Sequence, residues 1–219
     1  MSDITLFGFG PSVYTRIVKL VLAEKSISYQ FEELNPFAEQ RVDDVARLHP
    51  FGRVPIIKHA DFRVYETAAI CRYLDAQFPT PALTPTDAKP LARMTQVIGI
   101  VDAHGYWPMV RQVFAHRVFR PHEGLDANEH TVAQGLTDAQ PVLAALDPIA
   151  EEGLVLNAQI TTLADCHLAP MMAAFTAAPE GRAALENYDA LSVWWQTWIT
   201  RDSMRATDAG FDHLATSDA

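Results

Sequence analysis

GRVPIIKHADFRVYETAAICRYL, residues 52–74, carries the strongest local signal for the fold. Two short β-favouring runs, residues 56–57 and 62–64, are separated by the triplet HAD, which predicts a hairpin turn. Apolar side chains between residues 68 and 78 then recur on one helical face. Pro55 opens the first strand, where it donates no amide hydrogen bond and fits a tight turn with a cis peptide bond. The stretch therefore predicts a hairpin that leads directly into a helix.

Toward the N-terminus, the pattern predicts a strand over residues 4–7 and a helix over residues 13–25. Ile27, Tyr29 and Phe31 alternate with polar residues as in a half-buried strand, and residues 38–48 predict a polar helix. The order is βαβα followed by ββα. This order predicts a small α/β domain over residues 1–80.

Toward the C-terminus, four prolines between residues 79 and 90 predict a linker. Helices are then predicted over residues 91–118, 126–146, 162–175, 180–188 and 190–205. Pro108 is expected to kink or break the first of them, and Pro141 to bend or divide the second. Asp126 and Thr162 each begin a capping-box-like sequence. Residues 88–219 are therefore predicted to form an all-helical domain.

Composition narrows the class of protein. Of the 219 residues 49% are hydrophobic and 20% charged, and the formal net charge is −10. With no basic stripe to neutralise phosphates, we expect no nucleic-acid partner. We expect no membrane partner, because no apolar run is long enough to span a bilayer and the first residues do not resemble a signal peptide.

Cysteine and histidine usage argues against disulfides and metals. Cys71 and Cys166 lie far apart in helix-like patterns, which predicts buried, reduced thiols and a cytoplasmic location. The eight histidines show no ligand spacing, so we predict no metal.

Two features of the opening stretch favour a peptide-like ligand. A cis Pro55 leaves the backbone of Val54 unpaired by its own sheet and able to pair with an extended peptide. Glu66 and Thr67 stand where the next helix begins, and free amides there favour an anionic group. A strand-initial proline and an ordinary helix cap explain the same residues, so both interpretations stay open at this point.

Three segments carry a resemblance to a known family: HPFGRVP (49–55), YETAAICRYL (65–74) and TLADCHLAP (162–170). In this order and at these separations they resemble the cytosolic glutathione transferases, and the first domain looks like a thioredoxin-type domain. The resemblance covers essentially the whole chain and is nearest to a serine-type, phi/theta-like bacterial branch. It implies a thioredoxin-like N-terminal domain that binds glutathione, followed by an all-helical domain that supplies the electrophile pocket.

The resemblance also implies how glutathione is held. The bond between Val54 and Pro55 is expected to be cis, with Val54 pairing with the cysteinyl backbone of glutathione. Glu66 and Thr67 are expected to hold the γ-glutamyl end.

The glycine carboxylate is the point where this chain departs from the family. Gln40 and Arg41 occupy the place of a His-Lys pair, so Arg41 keeps the positive charge while Gln40 keeps only an amide. Arg53 replaces a family Gln or Lys and adds charge near the same ligand. A solvated surface charge is the alternative interpretation for both arginines.

Sulfur chemistry is expected after the first strand. Residues 12–15 read SVYT, and with no thiol there dithiol–disulfide exchange is unavailable. In the serine transferases such a hydroxyl donates to the glutathione thiolate, which implies that Ser12 is the catalytic residue. Tyr14 and Thr15 are the competing candidates, with Tyr14 second. Ser12 is also a favoured N-cap for the following helix, and this structural interpretation stays open.

The electrophile pocket is expected to be lined by aromatic and apolar side chains, with Phe9 in the first domain and the others near Pro108. A stripe of this kind is also typical of a helix core. The predicted lining residues of the second domain are Tyr106, Trp107, Val110 and Phe114.

These expectations predict a glutathione transferase that conjugates the glutathione thiolate to small hydrophobic electrophiles in detoxification. The resemblance implies a homodimer, with Phe51 as a candidate anchor in the partner subunit or, alternatively, packed within its own chain. Two other functions stay open. The first is another glutathione-dependent enzyme, such as an isomerase, a dehalogenase or a peroxidase. The second is a transferase-like binding or regulatory protein without turnover.

Overall fold

The computed structural model describes residues 3–38, 42–157 and 159–212. The chain divides into two compact units, with the boundary between Ala82 and Leu83.

The N-terminal unit is built on a four-stranded mixed sheet with strand order β2-β1-β3-β4. The first pair is parallel and the other two are antiparallel. This is the thioredoxin-like architecture that the sequence predicts. Its elements are β1 (Ile4–Gly8), α1 (Val13–Glu24), β2 (Gln30–Glu33), α2 (Val42–Leu48), β3 (Ile56–His59), β4 (Phe62–Tyr65) and α3 (Thr67–Gln77).

Strand β2 is shorter than predicted, because α1 ends in a tight cap. Ser26 has a positive φ of 53°, and the Ile27 amide donates back to the Leu22 carbonyl at 2.8 Å. This left-handed cap keeps Ile27 out of the sheet, so β2 begins only at Gln30. The prediction that Ile27 and Tyr29 belong to this strand is therefore wrong.

The two faces of the sheet have separate cores. Along β1, Ile4 and Leu6 are fully buried, and α1 packs against α3. Phe7 points the opposite way because strand side chains alternate. It packs on a cluster of Leu34, Val45 and Ile56, so α2 contributes to this second core.

The C-terminal unit contains helices joined by loops, with no strand among the residues described. Pro90 lies in the first turn of α4, where a missing amide costs no helical hydrogen bond, so the predicted linker ends earlier than expected. The predicted helix over residues 190–205 is two helices in the structure. The elements are α4 (Ala88–Ile100), a π-helix π1 (Val101–Phe119), α5 (Arg120–His122), α6 (Glu129–Glu152), α7 (Leu163–Ala177), α8 (Pro179–Leu185), α9 (Asp189–Ile199) and α10 (Asp202–Ala206).

Pro108 does not break its helix. It is buried inside π1, which runs without interruption over 19 residues. In a π-helix each amide donates to the carbonyl five residues earlier, so the turns are wider than in an α-helix. The buried residues of this helix are Val101, Gly105, Pro108, Met109, Val110, Val113, Phe114 and Val118. The proline is accommodated where the sequence predicts a kink.

Helix α6 begins later than predicted. Asn128 is its N-cap and accepts from the Thr131 amide at 3.0 Å, whereas Asp126 lies outside the helix. Pro141 and Pro148 both lie inside α6, which continues to Glu152.

Helix α7 is the buried centre of the C-terminal unit, since all its residues are buried. Its predicted capping box is confirmed: Thr162 is the N-cap, and its amide donates to Asp165 Oδ2 at 2.8 Å. Cys71 and Cys166 are both buried as thiols, as predicted. Within the described ranges, no helix combines the length and the apolar character that crossing a membrane requires.

Candidate active site

Strand register brings three chain segments to one edge of the N-terminal sheet. Phe7 pairs with Ile56 across β1 and β3, and Ile56 pairs with Tyr65 across β3 and β4. Adjacent strands lie about 4.8 Å apart, so these three residues span about 10 Å. The loop that holds Ser12 follows β1, the Val54–Pro55 bond immediately precedes β3, and the start of α3 follows β4. They therefore emerge side by side.

Ser12 is the N-cap of α1. Its Oγ accepts from the Thr15 amide at 3.3 Å, and its carbonyl accepts from the Arg16 amide at 2.9 Å. The side chain is half-buried. Since the oxygen acts as an acceptor, the hydroxyl proton remains available for an acceptor such as a thiolate. The capping and catalytic interpretations of Ser12 are thus compatible.

Of the two competing hydroxyls, Thr15 is tied into the structure. It is fully buried, and its Oγ1 accepts from the Phe9 amide at 3.3 Å. A Cβ on Gly8 would lie 2.4 Å from the Thr15 Cγ2 methyl, so the two residues are packed against each other. Tyr14 is half-buried in the first turn of α1. Thr15 therefore stabilises the loop through its contacts with Gly8 and Phe9. Tyr14 stays the second candidate for the hydrogen bond to the thiolate.

The Val54–Pro55 peptide bond is cis. Pro55 is buried and Val54 half-buried, with the Val54 side chain packed on the core below the sheet edge. Across residues 3–38, 42–157 and 159–212, no group hydrogen-bonds to the main chain of Val54. An extended ligand therefore has a main-chain partner available here.

Glu66 has an unusual backbone conformation at the start of α3. Its φ is 69° and its ψ is 116°, and its side chain makes no capping hydrogen bond to the helix. Such values are sparsely populated in non-glycine residues and are frequent at functional sites. The carboxylate is 61% exposed, while Thr67 is buried as the first helical residue. The first amides of α3 and this carboxylate thus lie together at the start of the helix, where they can bind a zwitterionic group.

His49 is a residue of this site that the sequence analysis missed. Its side chain is only 3% exposed, and its Nε2 lies 3.8 Å from Glu66 Oε1. Its Nδ1 accepts from the Phe51 amide at 3.2 Å, and its ring contacts Tyr65 at a centroid distance of 4.6 Å. Burial, aided by the charge of Arg53, lowers the pKa of His49, and the Glu66 carboxylate opposes this shift. The signal was present in HPFGRVP, where a histidine precedes the turn.

The remaining predicted site residues of the N-terminal unit differ in their exposure and in their contacts. Arg53 is exposed next to Val54. Gln40 and Arg41 lie outside the described residues. Phe51 is 70% exposed and contacts the ring of His49 edge-on at 5.8 Å. Phe9 is half-buried and packs edge-on against Phe37 at 6.1 Å.

The predicted pocket residues of the C-terminal unit all lie on π1, but their environments differ. Val110 and Phe114 are buried, and the ring of Phe114 packs against Phe211 at 5.3 Å. For these two residues the structure favours the core interpretation. Tyr106 is half-buried, and Trp107 is 61% exposed. Tyr106 and Trp107 are thus the more accessible candidates for ligand contact.

No group of three or more histidine, cysteine, aspartate or glutamate residues suited to a metal ion occurs within the described ranges.

Comparison with known proteins agrees with this geometry. The family model "Glutathione S-transferase, N-terminal domain" matches residues 6–82. Glutathione S-transferase F6 of Arabidopsis thaliana is 26% identical over 206 residues, covering 93% of this chain and 98% of the plant protein. The stringent starvation protein A homolog of Pasteurella multocida is 28% identical over 172 residues, covering 78% of this chain and 74% of the relative.

Solved structures show the same fold. Glutathione S-transferase-I bound with the ligand lactoylglutathione has a TM-score of 0.81 at 20% identity, and the match covers 96% of this chain and 99% of that chain. A glutathione S-transferase from Rhodospirillum rubrum F11 has a TM-score of 0.80 at 20% identity, with 97% and 98% coverage. The N-terminal unit thus matches the glutathione S-transferase N-terminal domain, and the chain as a whole has the fold of the glutathione transferases.

Proposed function

We propose that this protein is a cytoplasmic glutathione transferase of the serine type, which conjugates the glutathione thiolate to small hydrophobic electrophiles. The observation that carries the proposal is the convergence of Ser12, the cis Val54–Pro55 bond and the start of α3 at one sheet edge. Similarity to proteins named glutathione S-transferase supports it.

Glutathione is a tripeptide with an extended backbone, a zwitterionic γ-glutamyl end and a thiol. In the proposed complex its cysteinyl backbone pairs with the Val54 main chain. Its α-ammonium group binds the Glu66 carboxylate, and its α-carboxylate binds the first amides of α3 and the Thr67 hydroxyl. Arg53, Arg41 and Gln40 are assigned to the glycine carboxylate at the other end.

Ser12 then donates its hydroxyl proton to the sulfur. A free thiol with a pKa of about 8.5 is only a few per cent ionised at neutral pH. A charge-assisted hydrogen bond and the N-terminus of α1 favour the anion, which makes the thiolate the main species. The reaction needs only this nucleophile and an electrophile held beside it, and in the N-terminal unit contact with the electrophile is assigned to Phe9.

The assembly we propose is a homodimer in which Phe51, exposed at the turn before Val54, inserts into the partner subunit. No metal cofactor takes part in this mechanism.

The proposal is tested by calorimetric titration with glutathione. Glu66→Ala combined with Thr67→Ala should weaken binding by about 2–4 kcal/mol, because two charge-assisted contacts are lost. Glu151→Ala is the matched control, since Glu151 is an exposed glutamate on α6. Unchanged affinity of the double variant would remove Glu66 and Thr67 from the site. Assays with aryl halides, haloalkanes and hydroperoxides then separate conjugation from the other glutathione-dependent reactions.

A second candidate function is a transferase-like binding or regulatory protein without turnover. Relatives named stringent starvation protein A homolog, a name that states no transferase activity, keep this candidate open. Glutathione that binds with full affinity but is not turned over with any electrophile of the panel would support this candidate.

A further inference from the structure

We infer that His49 is a positioning residue for glutathione, which holds the turn before Val54 and orients Glu66 only while its imidazole is neutral. This inference rests on the proposed function, because it assigns Glu66 to the γ-glutamyl end of the ligand.

The first observation is the tautomer that the geometry requires. The Phe51 amide can only donate, so the His49 Nδ1 that accepts from it at 3.2 Å carries no proton. The neutral ring must then carry its proton on Nε2, the atom 3.8 Å from Glu66 Oε1. The same ring therefore faces the turn with an acceptor and the carboxylate with a donor.

The second observation is what the turn supports. The Gly52 amide donates to the His49 carbonyl at 2.9 Å, and Gly52 has a positive φ of 62°. With the bond from Phe51, these contacts fix the chain just before the cis Val54–Pro55 bond. The main chain that receives the peptide ligand is thus set by two hydrogen bonds to His49.

The third observation is the isolation of the ring. It is 3% exposed and lies against Tyr65, and the charged groups that face it within the described ranges are Glu66 and Arg53. Burial lowers the pKa of His49 below its ordinary value of 6.5. The neutral, turn-holding form is therefore the one present at neutral pH.

Protonation would undo both functions. A proton on Nδ1 removes the acceptor for the Phe51 amide, and the resulting imidazolium competes with the ligand's ammonium group for Glu66. Conversely, an ammonium bound to Glu66 makes the charged ring less favourable, so ligand binding lowers the pKa of His49 further. The affinity therefore falls as the pH drops through the pKa of His49 in the free protein.

The test uses S-methylglutathione, whose sulfur does not titrate, in calorimetric titrations of the full chain between about pH 5 and 8. Two substitutions separate the roles of the ring nitrogens: His49→Asn keeps an acceptor near the Nδ1 position, and His49→Gln keeps a donor near the Nε2 position. We expect wild-type affinity to fall severalfold toward the acid end of this range and His49→Asn to bind with almost no dependence on pH. His49→Gln should bind more weakly throughout, because the Phe51 amide has lost its partner.

His130→Asn is the control, since His130 is an exposed histidine on α6, and its pH profile should match that of the wild type. Equal pH profiles for wild type and His49→Asn would overturn the inference.

A measurement without ligand separates failure of this inference from failure of the proposed function. In nitrogen-15 NMR spectra of the ligand-free protein, the Phe51 amide should shift with the same midpoint as the His49 ring. A Phe51 amide that ignores the titration of His49 would overturn the inference on its own. Absence of S-methylglutathione binding in the wild type at every pH would instead refute the proposed function.

Discussion

Helices α1 and α7 both begin with a hydroxyl residue as N-cap, yet the two N-cap residues have different roles. Both have a hydroxyl residue as N-cap, Ser12 in one and Thr162 in the other. Ser12 is half-buried, and its oxygen accepts from a single amide. Thr162 is buried; its hydroxyl donates to Asp165 Oδ2 at 2.7 Å, and Trp194 Nε1 donates to Asp165 Oδ1 at 2.8 Å.

The difference lies in how many partners each cap has. At α7 every donor around Asp165 is satisfied inside the protein, so the box can only contribute to folding. At α1 the hydroxyl proton of Ser12 has no acceptor within the described part of the chain, and the group is open to a ligand. Local sequence predicts a cap in both places, whereas burial decides whether the cap can also act in chemistry.

The largest effect is expected at the buried cap. Asp165→Ala leaves the Thr162 amide, the Thr162 hydroxyl and the Trp194 indole without partners, and should lower the free energy of unfolding by about 3–5 kcal/mol. Denaturant unfolding measures this. Glutathione affinity of the folded fraction should stay near the wild-type value. Normal unfolding with lost catalysis would show that Asp165 has a role in the site.

A pH dependence distinguishes the two helices next. Burial lowers the pKa of His167 in α7 from 6.5 to about 4, so the folded protein keeps it neutral while the unfolded chain takes up a proton. Its contribution to stability is complete above about pH 6.5 and is lost as the pH falls toward 4, about 3 kcal/mol in total. His167→Leu should flatten the dependence of unfolding free energy on pH over this window. The control His130→Asn should retain the wild-type slope, and an unchanged slope in His167→Leu would contradict the assignment.

The smallest change in free energy is expected at the open cap, although it is the one that matters for activity. Ser12→Ala removes a hydrogen bond to the thiolate worth about 1.5–3 kcal/mol, which raises the pKa of bound glutathione by about one to two units. Turnover at neutral pH should fall about tenfold or more and recover in part at higher pH. The loss of the cap should cost only about 1 kcal/mol of stability.

Thiolate absorbance of the bound complex against pH measures this effect. Ser12→Thr keeps a hydroxyl and should preserve most of the shift, and Tyr14→Phe is the second comparison. Superimposable curves for wild type and Ser12→Ala would end the assignment. A shift in Tyr14→Phe alone would transfer the role to Tyr14.

Much of the fold can be predicted from hydrophobic periodicity and from the proline and hydroxyl residues that mark the ends of helices and strands. The β1–α1 start, the hairpin and α3 were predicted within a few residues, because period-two and helical patterns report which face is buried. The capping box at Thr162 was predicted for the same reason, since its signal lies within four residues. Errors arose where a local pattern was compatible with two structures. Ile27 was predicted in a strand, Pro90 in a linker and Asp126 at a helix start, whereas Ile27 and Asp126 lie outside β2 and α6 and Pro90 lies in the first turn of α4.

Neighbours along the chain set the order of elements and the residue types available at the sheet edge, so these could be predicted from local pattern. The cis Val54–Pro55 bond was expected from the family resemblance. Which of those residues act together depends on packing between segments. The burial of Phe114 under Phe211 and the approach of His49 to Glu66 are both results of such packing. They cannot be derived from local pattern, because partners distant in sequence set the burial and the hydrogen bonds of each group.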